Sequence, residues 1–273
     1  MAKTAATSFC RKFILFIVEG ASDLAFLESP LQKLYDSAFP GKYRVKIHYT
    51  SGDLMSRLDA NAKTVLKALD RNVKAALDKG RFVCELEDIE MIIQIVDLDG
   101  VFIPNSCVEF KPGQKKAWYD DKQGKIFTDK PDKIRTRNKT KSTVLRELIQ
   151  KRELFFKSKR KKGKTAEEPE KLVIPYRVFF FSCNADHVFL NEANLKMDDI
   201  KTTEKEKKKR SNEFQERAEQ QPYLFENRIL EFSTNKLEYE ESWKWPEAGV
   251  NSLQRRTNLD ILVKPLLNTA QLT

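Results

Sequence analysis

Two groups of acidic residues follow apolar segments of this chain, and each group lies beside a glycine. Glu19 and Gly20, with Asp23 three residues further on, follow an apolar run that begins at Phe13. Asp97 and Asp99 follow a second apolar run and are themselves followed by a glycine. Carboxylate oxygens are the ligands that Mg²⁺ and Mn²⁺ prefer in proteins. A cation held in this way can activate water and stabilise developing negative charge, so the pattern predicts a divalent-cation site.

The spacing within each group indicates how the side chains meet. Asp97 and Asp99 lie two residues apart on a predicted strand, so we expect their side chains to point to the same side and converge on one ion. Gly20 allows a sharp backbone turn beside Glu19. Asp23 fits either a metal site or the first turn of a following helix, where a negative charge favours the helix dipole. The alternative for the other three carboxylates is a set of solvated turn residues.

The apolar segments predict the strands that position these groups. Phe13–Val18 and Met91–Val96 are continuous apolar runs, which is typical of buried parallel strands. Tyr43–Tyr49 alternates apolar and basic residues and predicts a strand nearer an edge. Between them, Ser22 is the predicted cap of a first helix, and Leu54–Leu77 predicts a second. This β-α-β-α-β order predicts an α/β fold with a mostly parallel sheet, whose strand ends meet at one edge.

The second half of the chain has a different character. The segment Lys111–Lys141 is highly charged, Thr143–Phe156 predicts a helix, and Lys157–Lys164 is a basic run that predicts a loop. Val173–Ser182 returns to strand character. Ile200–Gln221 predicts a charged helix. We therefore expect four parts: the first part of the core at 1–100, a basic insertion at 101–172, the last core strand and helix at 173–199, and a mainly helical C-terminal elaboration at 200–273.

Further polar residues are candidates for substrate contacts. Asn184, Asp186 and His187 follow the last predicted core strand, so we expect them near the same sheet edge, although a single histidine is more often structural. Basic residues of the insertion could bind phosphates or form a solvated loop, namely Lys111, Lys115, Lys116, Arg135, Arg137, Lys139 and Lys141. Lys115, Lys116, Arg135 and Arg137 are the substrate contacts that we select from this set. Late polar residues either dock the tail or reach the site, namely Asn251, Arg255, Thr257 and Asn258.

Composition limits the class of protein. The chain has 273 residues and a formal net charge of +10, which favours a polyanionic partner such as nucleic acid. Its four cysteines and two histidines lack zinc-ligand spacing and do not suggest a disulfide framework. We find neither a signal peptide nor an apolar run long enough to cross a bilayer. These features predict a cytoplasmic protein without a membrane partner.

Taken in order, the two acidic motifs and the intervening β-α-β-α-β course resemble a Toprim domain. The matching positions are Glu19, Gly20, Asp23, Asp97 and Asp99, and the resemblance covers roughly residues 11–100. It implies a Toprim-like Rossmannoid core, with Glu19 as a metal ligand or general acid/base. It also implies that Asp97 and Asp99 hold Mg²⁺ or Mn²⁺, and that Asp23 can join the metal site in the nuclease branch.

The chain has no room for the additional modules of topoisomerases and primases. A Toprim domain that stands alone and carries a basic insertion resembles the nuclease subunits of PARIS-type anti-phage abortive-infection systems. The segments 182–187 and 251–253 are also similar to those subunits. That resemblance implies a toxic effector that cuts RNA, with transfer RNA as the expected target, and a separate ATPase partner that holds it inactive. A two-fold homodimer is a common arrangement for a protein of this size. Two alternatives remain: a primase-like phosphotransfer enzyme, and a nucleic-acid-binding regulatory module with a vestigial metal site.

Overall fold

A computed structural model describes residues 12–50, 52–57, 59–78, 85–157, 171–194, 200–221 and 223–271. The strands are β1 (Lys12–Val18), β2 (Tyr43–Tyr49), β3 (Ile89–Asp97), β4 (Val108–Phe110), β5 (Trp118–Asp120), β6 (Lys125–Thr128), β7 (Glu153–Lys157) and β8 (Lys171–Phe181). The α-helices are α1 (Ala21–Ala38), α2 (Ala62–Asp78), α3 (Pro131–Ile149), α4 (Ala185–Leu190), α5 (Ile200–Gln220), α6 (Leu224–Glu231), α7 (Tyr239–Lys244) and α8 (Asp260–Ala270). The fold is therefore mixed α/β.

A five-stranded sheet with the order β2-β1-β3-β8-β7 forms the centre of the molecule. The first four strands are parallel to their neighbours, and β7 pairs antiparallel with β8. The predictions of buried strands at β1 and β3, of an edge strand at β2 and of a later core strand at β8 are confirmed. Because four neighbouring strands run in the same direction, their carboxyl ends lie along one edge of the sheet.

Both faces of this sheet are covered, which explains why the central strands are apolar along their whole length. On one face, Leu15 and Ile17 of β1 pack with α2 and α3. On the other face, Phe16 of β1 packs with α1, α5, α6 and α8. Val144 and Leu148 of α3 are buried in the first of these two clusters. Helix α3 is therefore part of the core packing, although it lies within the charged segment 101–172.

The second predicted helix is shorter than its sequence pattern suggested. Helix α2 begins at Ala62, whereas the prediction began at Leu54. Asp53 accepts a hydrogen bond from the backbone amide of Met55 (2.7 Å), which favours a turn at this point. Asn61 then caps the helix, because its side chain accepts a hydrogen bond from the Thr64 amide at 3.0 Å.

The predicted helix Thr143–Phe156 was also wrong in its bounds. Helix α3 begins at Pro131, a favourable residue for a first helical turn, and ends at Ile149. The remaining residues form β7, in which Leu154 and Phe156 are buried while Phe155 is exposed. This alternation is the pattern of a half-buried strand. Most of the predicted basic loop Lys157–Lys164 lies outside the described residues.

Late polar residues dock the C-terminal tail onto the end of β8. The Asn258 side chain accepts a hydrogen bond from the Phe180 amide at 2.8 Å, and the Thr257 hydroxyl donates to the Phe180 carbonyl at 2.7 Å. The Ser182 amide donates to the carbonyl of Arg256 at 2.7 Å. The tail therefore covers the part of β8 that β7 does not reach. Within the described ranges, no helix has both the length and the apolar character that crossing a membrane requires.

A small three-stranded sheet with the order β4-β6-β5 packs close to the ends of the central strands. Gly100 has a positive φ of 69° and lies between this sheet and the tail. A Cβ atom at this position would lie 2.6 Å from Leu253 Cδ2 and 2.9 Å from Ile126 Cδ1. Glycine is therefore favoured at position 100 for two reasons: the backbone has a positive φ, and Leu253 and Ile126 leave no room for a Cβ atom.

We expect Gly100→Ala to destabilise the protein by about 1–2 kcal/mol more than Gly113→Ala, as measured by urea unfolding. Gly113 is a matched control, because it also has a positive φ (76°) but a Cβ there would meet nothing within 4 Å. An equal decrease in the free energy of unfolding for the two variants would show that the side chains around Gly100 can move to accommodate a Cβ atom.

Candidate metal centre

Three carboxylates converge at the carboxyl ends of three adjacent parallel strands. Glu19 follows β1, Asp53 lies in the loop after β2, and Asp99 lies two residues after β3. One carboxylate oxygen from each residue lies within 4.8 Å of the other two. The three side chains are partly buried, with exposed fractions of 15%, 13% and 21%, respectively. This arrangement could hold a metal ion, since it gathers oxygen ligands in a partly dehydrated site.

The ammonium group of Lys141 lies among these carboxylates. Its Nζ atom is 2.6 Å from Asp53 Oδ2, 3.2 Å from Asp99 Oδ2 and 3.8 Å from Glu19 Oε1, and the side chain is fully buried. Lys141 belongs to α3, so the insertion supplies the positive charge for the strand ends. With all three carboxylates ionised, one ammonium leaves two negative charges uncompensated, which is the charge that a single divalent cation would neutralise.

The environment changes the pKa values of these groups in different directions. Burial raises the pKa of Glu19 well above its ordinary value, and the neighbouring carboxylates add to this effect while Lys141 opposes it. Burial would also raise the pKa of Asp53, but the Lys141 ammonium lowers it below its ordinary value. Burial would lower the pKa of Lys141, but Asp53, Glu19 and Asp99 hold it well above its ordinary value. Lys141 is therefore charged, and Glu19 is the carboxylate that most readily carries a proton.

Asp97 lies beside the three carboxylates and makes different contacts. Its Oδ1 accepts a hydrogen bond from the Ala185 amide at 3.1 Å, at the start of α4. Its own backbone amide donates to Glu19 Oε1 at 3.3 Å. The expected convergence of Asp97 with Asp99 depended on strand alternation, but Asp99 has a positive φ of 53° and has left the extended conformation. Asp99, rather than Asp97, therefore joins Glu19 and Asp53.

Asp23 caps α1. Its Oδ2 accepts a hydrogen bond from the Gly20 amide at 2.9 Å, and the side chain is buried. The helix begins after Gly20, so the prediction that Ser22 caps it was wrong. Gly20 itself is extended, with a φ of −134°, and does not use the conformational freedom of glycine. The structure thus gives Asp23 the contact expected of a residue in a first helical turn.

Arg137 supports the loop that carries Asp99. Its Nη2 donates to the carbonyl of Asp99 at 2.7 Å, and its Nη1 donates to the hydroxyl of Tyr119 at 3.2 Å. The side chain of Asn138, the next residue along, donates to the carbonyl of Gly100 at 3.2 Å. Arg137 had been expected to contact substrate; in the structure its guanidinium bonds the backbone that positions a carboxylate.

The other predicted basic contacts lie elsewhere in the insertion. Arg135 donates to the carbonyls of Asn105 (3.2 Å) and Val108 (2.8 Å), so it ties the start of α3 to β4. Lys115 and Lys116 are exposed in the loop between β4 and β5. The carboxylate cluster therefore includes none of these three residues.

Asn184, Asp186 and His187 lie at the start of α4, on the segment that follows β8. Asn184 caps the helix, because its side chain accepts a hydrogen bond from the His187 amide at 2.8 Å. Asp186 and His187 are buried. His187 Nε2 lies 3.4 Å from Asp121 Oδ2, and Nδ1 has no hydrogen-bond partner among the described residues. Burial lowers the pKa of His187, so the ring is neutral at pH 7.

Sequence reasoning did not identify Asp53 and gave Lys141 a different role. Asp53 had a usable signal, because it follows an edge strand whose carboxyl end shares the edge with β1 and β3. Lys141 was considered only as a phosphate-binding residue. Its spacing to Leu145 and Leu148, four and seven residues further on, places it on the buried face of α3. A lysine at such a position requires a buried negative partner.

Comparisons with protein-family models, with curated proteins and with solved structures find no match for this chain. The arguments about function therefore depend on the geometry of the site and on the chemistry of its residues.

We expect Lys141→Met to destabilise the protein by about 3 kcal/mol at neutral pH, because three carboxylates then lose their shared positive charge. Millimolar Mn²⁺ should restore much of this loss, since a cation that binds only the folded state stabilises it. Urea unfolding with EDTA and with Mn²⁺ measures both effects. Lys139→Met is the control, because Lys139 is exposed on the same helix. Equal stability of the two variants would contradict the role given to Lys141.

A second prediction concerns pH. Because the folded protein holds the pKa of His187 below its unfolded value, the unfolded chain binds more protons just below pH 6.5. His187 therefore makes the free energy of unfolding fall as the pH decreases through this range. We expect His187→Gln to lose less stability than the wild type between about pH 7.5 and pH 5.5. A steeper loss in the variant, measured by urea unfolding at each pH, would contradict the assigned direction.

Proposed function

We propose that this protein is a divalent-metal-dependent endonuclease that cleaves phosphodiester bonds in RNA. The observation that carries the proposal is the convergence of Glu19, Asp53 and Asp99 around the buried ammonium of Lys141. The set consists of hard oxygen ligands at the carboxyl edge of a parallel sheet, where α/β enzymes bind their ligands. Such ligands suit Mg²⁺ or Mn²⁺.

Each residue of the site has a role that suits phosphodiester hydrolysis. Glu19, Asp53 and Asp99 would hold the cation, which supplies Lewis-acid stabilisation of the phosphate and an activated water when bound. Burial raises the pKa of Glu19, so it is the carboxylate of the site best suited to accept or release a proton. Lys141 is fully buried and acts on the carboxylates, whose positions it maintains. Arg137 fixes the backbone of Asp99 through its carbonyl.

Two further features favour a nucleic acid as the substrate. The net charge of +10 favours a polyanion, and Lys115 and Lys116 are exposed. The order of the motifs at Glu19-Gly20 and Asp97–Gly100 supports a Toprim-like core. On the narrower resemblance to PARIS-type nuclease subunits, we propose transfer RNA as the target and a separate ATPase as the partner that keeps the nuclease inactive.

The test is cleavage of a panel of RNA and DNA substrates with Mg²⁺ or Mn²⁺. We expect RNA to be cut, and Glu19→Gln and Asp99→Asn each to lower the rate by at least about a hundredfold, because each removes a ligand charge from the cation site. Glu28→Gln and Asp36→Asn are matched controls, since both residues are exposed on α1. Unchanged cleavage by the Glu19 variant would place the active site elsewhere.

One observation favours a second candidate function. The Lys141 ammonium already occupies the space between the three carboxylates, as a resident cation does. A nucleic-acid-binding module that has replaced its metal by a lysine would show this arrangement. Calorimetric titration with Mn²⁺ separates the two candidates: the nuclease binds the ion in the wild type, whereas the binding module does so only after Lys141→Met.

A further inference from the structure

We propose that a cleft between α2, the end of α3 and β7 binds single-stranded RNA and leads it to the metal centre. The choice of RNA depends on the proposed function, whereas the binding surface itself is argued from its own residues. The cleft has a volume of about 770 Å³. Its lining includes the basic residues Lys63, Lys67, Arg71 and Lys151 and the apolar residues Leu66 and Phe155.

The basic residues of α2 form a stripe. Lys63, Lys67 and Arg71 are four residues apart and all exposed, so they follow one face of the helix with about 6 Å between neighbours. The stripe spans about 12 Å, which corresponds to three or four phosphates of a stacked strand. Within the described part of the chain, none of the three side chains forms an ion pair. Their charges are therefore available to phosphates.

The charge balance around the cleft is positive. Two acidic residues, Asp70 and Glu147, also line it. Asp70 is paired with Lys74 at a distance of 2.7 Å and so contributes little net charge. The remaining acidic group, Glu147, faces four basic side chains. A polyanion is the partner that this balance favours.

The apolar residues of the lining favour a single strand over a duplex. Phe155 is 53% exposed on the edge strand β7, and Lys171 Nζ lies 3.7 Å from the centroid of its ring. Leu66, which also lines the cleft, is partly buried. Exposed aromatic rings between basic side chains are the means by which proteins bind single strands, since unpaired bases stack on the rings while phosphates contact the cations. The bases of a duplex are already stacked and paired.

Helix α3 connects this cleft to the carboxylates. Lys141 lies among the carboxylates, and Glu147 lines the cleft six residues later, about 9 Å along the helix axis. Helix α2 begins at Ala62, soon after the loop that carries Asp53. Both helices that line the cleft are thus continuous in the chain with segments that carry residues of the metal centre. We expect a strand bound along α2 to reach the carboxylates within a few nucleotides.

The experiment compares Lys67→Glu/Arg71→Glu with a matched double variant, Lys33→Glu/Lys209→Glu. Lys33 on α1 and Lys209 on α5 are also exposed, but these helices cover the opposite face of the sheet. Binding of a labelled single-stranded RNA of about twelve nucleotides is measured by fluorescence anisotropy in EDTA, so that no cleavage intervenes. We expect the α2 variant to bind on the order of tenfold more weakly than the control variant. The slope of log affinity against log salt should also decrease by about 1.4, the value for two lost phosphate contacts.

Equal weakening by the two double variants, or an unchanged salt slope, would overturn the proposal, because only net charge would then matter. Tighter binding of duplex RNA or of single-stranded DNA would overturn the assignment to single-stranded RNA. Cleavage is measured separately on the same variants. RNA binding without cleavage would contradict the proposed nuclease activity but not the proposed binding surface. Full cleavage by the α2 variant would contradict the binding surface but not the nuclease activity.

Discussion

The arrangement of the strand ends depends on the ion cluster around Lys141. Glu19, Asp53 and Asp99 come from three neighbouring strands, and their mutual repulsion in a partly buried site would separate them without a positive charge. The ammonium of Lys141 lies within 4 Å of a carboxylate oxygen from each. Because Lys141 comes from α3, the same contacts hold the insertion against the sheet. One side chain thus links the packing of the core to the geometry of the site.

Such a cluster is a costly way to stabilise a fold. Removing ions from water costs several kcal/mol for each group, and a well-packed apolar cluster of the same volume is often as stable or more stable. Two further features position a carboxylate of the site: Asp99 adopts a positive φ, and Arg137 bonds its carbonyl. Strained backbone and partly compensated charge in one place are typical of functional sites. The cluster could hold a metal ion, and the proposed function would give a reason for its cost.

Most of the central sheet and part of the candidate site could be predicted from the sequence. Continuous apolar runs identified β1 and β3, alternation identified β2 at an edge, and the order of elements predicted parallel strands whose ends meet. Asp53 was not predicted because it lies in a loop, where no periodicity marks a residue as facing the site. The pairing of Asp97 with Asp99 was expected from strand alternation, which ends at Asp97 because the chain then turns. The role of Lys141 depends on contacts with residues 42, 88 and 122 positions earlier in the chain, and local patterns carry no information about these.

An acidic site repels a polyanionic substrate, and the distribution of basic residues offsets this repulsion. Carboxylates alone repel phosphates, whereas the net charge of +10 on this chain favours long-range attraction of the polyanion that we propose as its substrate. The exposed basic side chains of α2 lie outside the cluster, whereas Lys141 is buried within it. In the proposed function, attraction of the substrate and the chemistry of the site therefore fall to different residues. A strand can be held by the basic stripe without neutralising the carboxylates, which remain available to a cation. Helix α3 contributes to both places, with Lys141 in the carboxylate cluster and Glu147 at the cleft, while its apolar residues Val144 and Leu148 pack into the core.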